Sequence, residues 1–99
     1  MDIQKTIDGS AVTIAVSGRL DTNTAPQFET ELKGCLNGAS ELTLDFSGLE
    51  YISSAGLRVL LSAQKLMNAQ GGSMRVTGSN DIVKEIFEVT GFTDILTIE

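Results

Sequence analysis

Three short segments of strict two-residue alternation, each followed by helical spacing, constrain the fold of this chain most. Val12, Ile14 and Val16 alternate with Thr13, Ala15 and Ser17. Leu42, Leu44 and Phe46 alternate with Thr43 and Asp45, and Met74 and Val76 with Arg75 and Thr77. A period of two marks strands with one apolar face. Parallel strands covered on both sides read instead as continuous apolar runs. The polar second face therefore predicts helices packed mostly on one side of a sheet, with the other side at least partly in water. Strand–helix–strand order from Val12 onward implies right-handed crossovers and a mainly parallel core. A weaker alternation at Ile3, Lys5 and Ile7, followed by the turn signal Asp8-Gly9-Ser10, adds a hairpin partner at the start. The expected architecture is α/β: a mixed, mainly parallel sheet of four to five strands.

The helical segments carry their own punctuation. Asp21-Thr22-Asn23-Thr24 is rich in capping residues, and Pro26 suits a first turn. Ala25, Phe28, Leu32, Cys35 and Leu36 then form one apolar stripe, and Gly38 marks the stop, giving a helix near residues 24–37. A second helix is predicted near 54–69, ending before Gly71-Gly72, and a third near 80–89, capped by Ser79 or Asn80 and stopped by Gly91. Ile82, Val83, Ile86 and Phe87 share the face of the third. Gly18 is expected to end the Val12 strand, residues 47–53 to form a loop, and Ile95 to Ile98 an edge strand. Cys35 reads as a small core residue.

The 99 residues suit one domain spanning 1–99. Thirteen Asp and Glu against seven Lys and Arg give a net charge of −6, which repels phosphate backbones. No nucleic acid is expected as a partner. No run approaches the ~20 apolar residues of a membrane span, so no direct membrane insertion is expected, and a cytoplasmic location is the default. Histidine is absent and cysteine occurs once, at Cys35. That removes a Ser-His-Asp triad, a Cys-His pair and a Cys₂His₂-type zinc site. An Asp21–Asp45 carboxylate pair is the one remaining acid site to weigh, and it lacks any supporting ligand set. No catalytic residue, cofactor or metal is expected, and the balance leans toward binding or regulation rather than catalysis.

The informative segment runs from Asp45 to Leu57, Asp-Phe-Ser-Gly-Leu-Glu-Tyr-Ile-Ser-Ser-Ala-Gly-Leu. A strand ends, a polar stretch follows, and small residues open a helix. Ser53 or Ser54 can accept hydrogen bonds from unpaired N–H groups of the first turn. The same place favours negative charge, by about 0.3–1 kcal/mol at exposed sites. Ala55 and Gly56 would let a partner approach the backbone.

With Ser17-Gly18-Arg19-Leu20-Asp21-Thr22-Asn23-Thr24-Ala25 and Gly91-Phe92-Thr93-Asp94-Ile95-Leu96, this segment resembles the STAS domain family across the whole chain. The likeness is to its small stand-alone bacterial anti-sigma factor antagonists. The resemblance implies that a serine at the helix start, Ser54 by motif position, is phosphorylated by an anti-sigma factor that is itself a serine kinase. Ser53 is the alternative, because the two serines are adjacent. Many members carry Asp where this chain has Ser53 and a second serine where it has Ala55. The unphosphorylated antagonist would bind the anti-sigma factor and free a sigma factor. A PP2C-type phosphatase would reset it. The loop Asp21, Thr22 and Asn23 would contribute to the partner surface, although helix capping alone accounts equally well for Asp21.

On the second helix, Arg58, Ser62 and Lys65 form a polar stripe, while Val59, Leu60, Ala63, Leu66 and Met67 can cover the sheet. Leu57 and Leu61 lie between these faces on the side of Ser54. They are either core or a partly exposed apolar anchor beside the serine. A rival reading is a STAS-like accessory subunit of a membrane transport ATPase complex, acting without phosphorylation.

Overall fold

The computed structural model describes residues 1–99. Its five strands lie side by side in sequence order: β1 (Asp2–Asp8), β2 (Ala11–Leu20), β3 (Glu41–Ile52), β4 (Ser73–Thr77) and β5 (Thr97–Ile98). The β1–β2 hairpin is antiparallel and the other three pairings are parallel. Helices α1 (Ala25–Cys35), α2 (Ser54–Ala69) and α3 (Asp81–Val89) form the crossovers, and a 3₁₀ turn (Phe92–Asp94) leads into β5. Right-handed crossovers that always step in one direction deposit every helix on the same face. That is the one-sided architecture the alternation implied.

The alternating apolar residues of β2, β3 and β4 point into this layer. They join Phe28 and Leu32 of α1, Leu60 and Met67 of α2, and Val83 and Phe87 of α3 in one cluster of 24 buried residues. On the open face Arg75 Nε donates to Thr43 Oγ1 at 3.0 Å across neighbouring strands. Lys5 sits opposite Ile14 and so leans to the helix side, where its Nζ meets Glu31 of α1 at 2.6 Å. A charged residue on the outer strand also discourages edge-to-edge pairing with another chain.

Several boundaries differ from the sequence reading. Strand β2 passes through Gly18 to Leu20, and residues 47–52 are strand rather than loop. Between Ala15 and Leu20 of β2, the partner strand advances from Asp45 to Ile52, with register shifts at Ala15/Ser17 and Gly18/Arg19. Two extra residues are thus absorbed as bulges in β3. Asp45 Oδ1 accepts from Ser47 N at 3.0 Å at the first bulge. At Gly48 a Cβ would lie 2.8 Å from Ser17 Cβ, so only glycine lets the strands meet there. Ser and Gly carry the composition of a loop, but here they build a kink within a strand.

The other differences concern faces. Ile82 is 57% exposed and Leu66 is 37% exposed, because α3 and α2 each rest on the sheet through a narrower stripe than the sequence implied. The last strand is only Thr97–Ile98, and Ile95 stays outside it. Cys35 is half-buried, its Sγ donating to Glu31 O at 3.3 Å, while Leu36 takes the core position.

Candidate functional site: the start of the second helix

The bulged extension of β3 brings the two segments singled out in the sequence together. Ser53 N donates to Leu20 O at 2.8 Å, so the loop opening at Asp21 lies against the start of α2. Ser53 is the N-cap, in extended conformation, with its Oγ accepting from Gly56 N at 3.5 Å and its carbonyl accepting from Leu57 N at 2.9 Å. Ser54 is the first helical residue. It is exposed, and its hydroxyl makes no hydrogen bond within the chain. Two adjacent serines thus have different tasks: one holds the helix end and the other is free.

The neighbouring residues divide in the same way. Arg58 is exposed and makes no ion pair. Ala55 and Leu61 are half-buried. Leu57 is only 6% exposed and belongs to the core, so it is not the partly exposed anchor that was one of its two readings. Gly56 is also buried. A Cβ there would lie 2.7 Å from Leu20 Cγ and 2.8 Å from Ile52 Cγ1. Its small size serves the seating of α2 on the ends of β2 and β3, not the approach of a partner.

The Asp21 carboxylate organises its own loop. Oδ1 accepts from Asn23 N at 3.0 Å and Thr24 N at 3.1 Å, and lies 3.2 Å from Thr24 Oγ1. Thr24 is the N-cap of α1 but caps nothing with its side chain. Its hydroxyl instead donates to Arg19 O at 2.9 Å. Thr22 and Asn23 remain exposed. Thr22, Pro26 and Glu29 from the α1 side and Ala55, Arg58 and Ser62 from α2 line one shallow groove. At the ends of β2 and β3 the Arg19 guanidinium stacks 4.6 Å from the centre of the Tyr51 ring, a contact worth about 0.5–1 kcal/mol at exposed sites. Sequence reasoning missed this pair, because Arg19 and Tyr51 face each other only through the shifted register.

Asp45 and Asp21 do not form a carboxylate pair. Asp45 pairs with Ala15, six residues short of Asp21, or roughly 20 Å along the strand. Partial burial pushes the Asp21 carboxyl up, but hydrogen bonds from Thr24 and Asn23 and the charge of Arg19 prevail and hold it below its ordinary value. Hydrogen bonds from Ser47 hold Asp45 below its ordinary value as well. Depressed folded-state values contribute stability that is present above the unfolded value, near pH 4, and lost as pH falls through the folded ones. The urea midpoint of the wild type should therefore fall more steeply below about pH 4 than that of an Asp21→Asn, Asp45→Asn double variant. Parallel pH profiles would show that these turns contribute nothing through charge. No helix is long and apolar enough to cross a membrane.

Comparison with known proteins bears on the family and the fold. A family profile described as "Mlab, STAS domain" matches residues 3–97. BtrV of Bordetella bronchiseptica, assigned as an anti-sigma factor antagonist, is 34% identical over 93 residues, covering 93% of this chain and 79% of that protein. The anti-sigma-B factor antagonist of Bacillus subtilis is 25% identical over 87 residues, covering 88% of this chain and 80% of that one. Among solved structures, an anti-sigma factor antagonist from Mycobacterium paratuberculosis superposes with a TM-score of 0.87 at 20% identity, over 98% of this chain and 83% of its own. The antagonist SpoIIAA in its unphosphorylated form gives a TM-score of 0.84 at 19% identity, over 99% of this chain and 88% of its own. With the profile spanning nearly every residue and the fold shared throughout, this chain belongs to the STAS domain family, with bacterial anti-sigma factor antagonists as its relatives.

Proposed function

We propose that this protein is a phosphorylation-gated binding module. Unphosphorylated, it holds an anti-sigma factor that is itself a serine kinase, and so leaves a sigma factor free for transcription. Transfer of a phosphoryl group to Ser54 Oγ ends that binding, and a PP2C-type phosphatase restores it. The partner surface comprises the exposed loop at Thr22 and Asn23 beside Asp21, the helix start at Ser53, Ser54 and Ala55, and Arg58 and Leu61 one and two turns on. Gly56 and Leu57 support that surface from beneath. The site of action is the cytoplasm, where sigma factors work.

One observation carries this reading. Ser54 presents an exposed, unbonded hydroxyl at the first position of a 16-residue helix, while Ser53 is committed to the cap. A phosphate there adds about −1.5 to −2 charges at neutral pH. The free N–H groups and dipole of the helix end accommodate that charge without refolding. The gate then acts at the interface, through bulk and charge against a partner shaped for a neutral hydroxyl.

Incubation with the cognate kinase and ATP should add one phosphate, measured as intact mass. Ser54→Ala should abolish the addition, and Ser53→Ala should retain it. The opposite pattern would move the site to Ser53. A cellular partner that is a transport ATPase, captured equally by wild type and Ser54→Asp, would favour the accessory-subunit reading instead.

A further inference from the structure

Arg58 is one of three side-chain cations without a carboxylate or ring partner; the others, Lys65 and Lys84, lie further along α2 and on α3. Lys5, Lys33 and Arg75 each pair with a carboxylate, and Arg19 stacks on Tyr51. Arg58 is exposed, unpaired, and placed four residues after Ser54 on the same helix. Residues at i and i+4 are neighbours on one face, and helical side chains lean toward the N-terminus. The guanidinium is therefore within reach of the turn that begins at Ser54. Glu29 shares its groove, and Asp21 opens the loop beside the start of α2. Glu29 is 3.8 Å from Lys33, and the Asp21 carboxylate is occupied by its own loop. Neither competes strongly for Arg58.

We propose that Arg58 is the built-in counter-cation of a phosphate on Ser54. In the unphosphorylated protein its fork of donors is offered to the partner from the rim of the groove. Once Ser54 is phosphorylated, the guanidinium folds back one turn and closes bidentate on the phosphate, a geometry arginine fits better than lysine. Phosphorylation then changes the surface twice. It adds an anion, and it withdraws the cation that the partner would contact. Arg58 acts here as a positioning residue for the modified side chain.

This inference rests on Ser54 being the modified residue, so the test uses a chain assembled with phosphoserine already at position 54. The readout is the second pKa of the phosphate, followed by ³¹P NMR. A pairing guanidinium favours the dianion, so the value in Arg58→Gln should lie about half a unit above that of the arginine chain, with Arg58→Lys between them. The difference should shrink in about 1 M salt, where the screening length is near 3 Å. A chain with phosphoserine at position 53 is the control. There Arg58 falls at i+5, off the shared face, and the Gln substitution should leave the titration unchanged. Identical titrations for the arginine and glutamine chains with phosphoserine 54 would overturn the proposal. An equal shift in the phosphoserine 53 control would overturn it too, by reducing it to a diffuse charge effect. Failure of a kinase to modify Ser54 would sink the functional reading and leave this measurement standing.

Discussion

Phosphorylation of Ser54 should lower affinity for the anti-sigma factor by about 30-fold or more while leaving the melting temperature within a few degrees of wild type. The two halves of this expectation have separate physical causes. Loss of a well-packed interfacial contact commonly costs about 2 kcal/mol, which is roughly that factor in Kd. A desolvated partner pocket that fits a hydroxyl has no groups to solvate a dianion, which deepens the loss. Stability is spared because the charge sits at a helix N-terminus, where it is tolerated or mildly favoured. Calorimetry of binding and of unfolding, on enzymatically phosphorylated protein and on Ser54→Asp, measures both halves. A phosphoprotein that melts far below wild type would make Ser54 a structural residue. One that melts normally and still binds tightly would place the partner elsewhere. Leu61 is the apolar probe to use beside it, because it is half-buried, and Leu61→Met conserves volume. Leu57, fully in the core, would report on folding instead.

Phe28→Ala should destabilise the domain by about 3–5 kcal/mol, read as a large fall in the urea midpoint with little change in slope. Phe28 is 0% exposed and is the largest side chain that α1 contributes to the core, with Ala25 and Leu32 on either side of it. Removing its ring takes apolar surface out of the packed layer and leaves a void that the sheet, fixed by its hydrogen bonds, cannot collapse to fill. Domains of this size have total stabilities of about 5–15 kcal/mol, so the variant should be close to unfolding. The neighbouring Gln27 is exposed, and Gln27→Ala should stay within about 0.5 kcal/mol of wild type. A Phe28→Ala midpoint that barely moves would mean that α1 rests on the sheet through another face.

Much of the fold was legible because it depends on periodicity, which is a local property. The alternation at Val12–Val16 and Leu42–Phe46 specified strands with one apolar face. The stripe Ala25, Phe28, Leu32 specified a helix, and strand–helix order with right-handed connections put all three helices on one side. The serine pair at the start of α2 was legible for the same reason, since capping residues and small side chains mark a helix start within a few positions. Spacing alone could not separate the two serines; the family motif favoured Ser54. Ser53 became the cap and Ser54 the free hydroxyl only because Leu20 O takes the Ser53 N–H and fixes where the helix begins.

Residues 47–52 show why composition misleads. Ser47 and Gly48 look like a loop, yet β2 continues to Leu20 and offers those residues a partner ladder. Whether a Ser-Gly pair turns or bulges depends on what lies beside it, and that neighbour is some thirty residues away in sequence. Leu57 and Gly56 went the same way. Their residue types suit either a core or a contact surface, and the approach of Leu20 and Ile52 decided for the core. The sequence by itself determined the order of strands and helices, the apolar face of β2, β3 and β4 and of α1, and where a charge-tolerant helix start would fall, because those follow from spacing along a single chain. Only the tertiary structure decided which serine is free, which glycine is for packing, and how Arg19 meets Tyr51, because each depends on register between strands that only the assembled sheet can set.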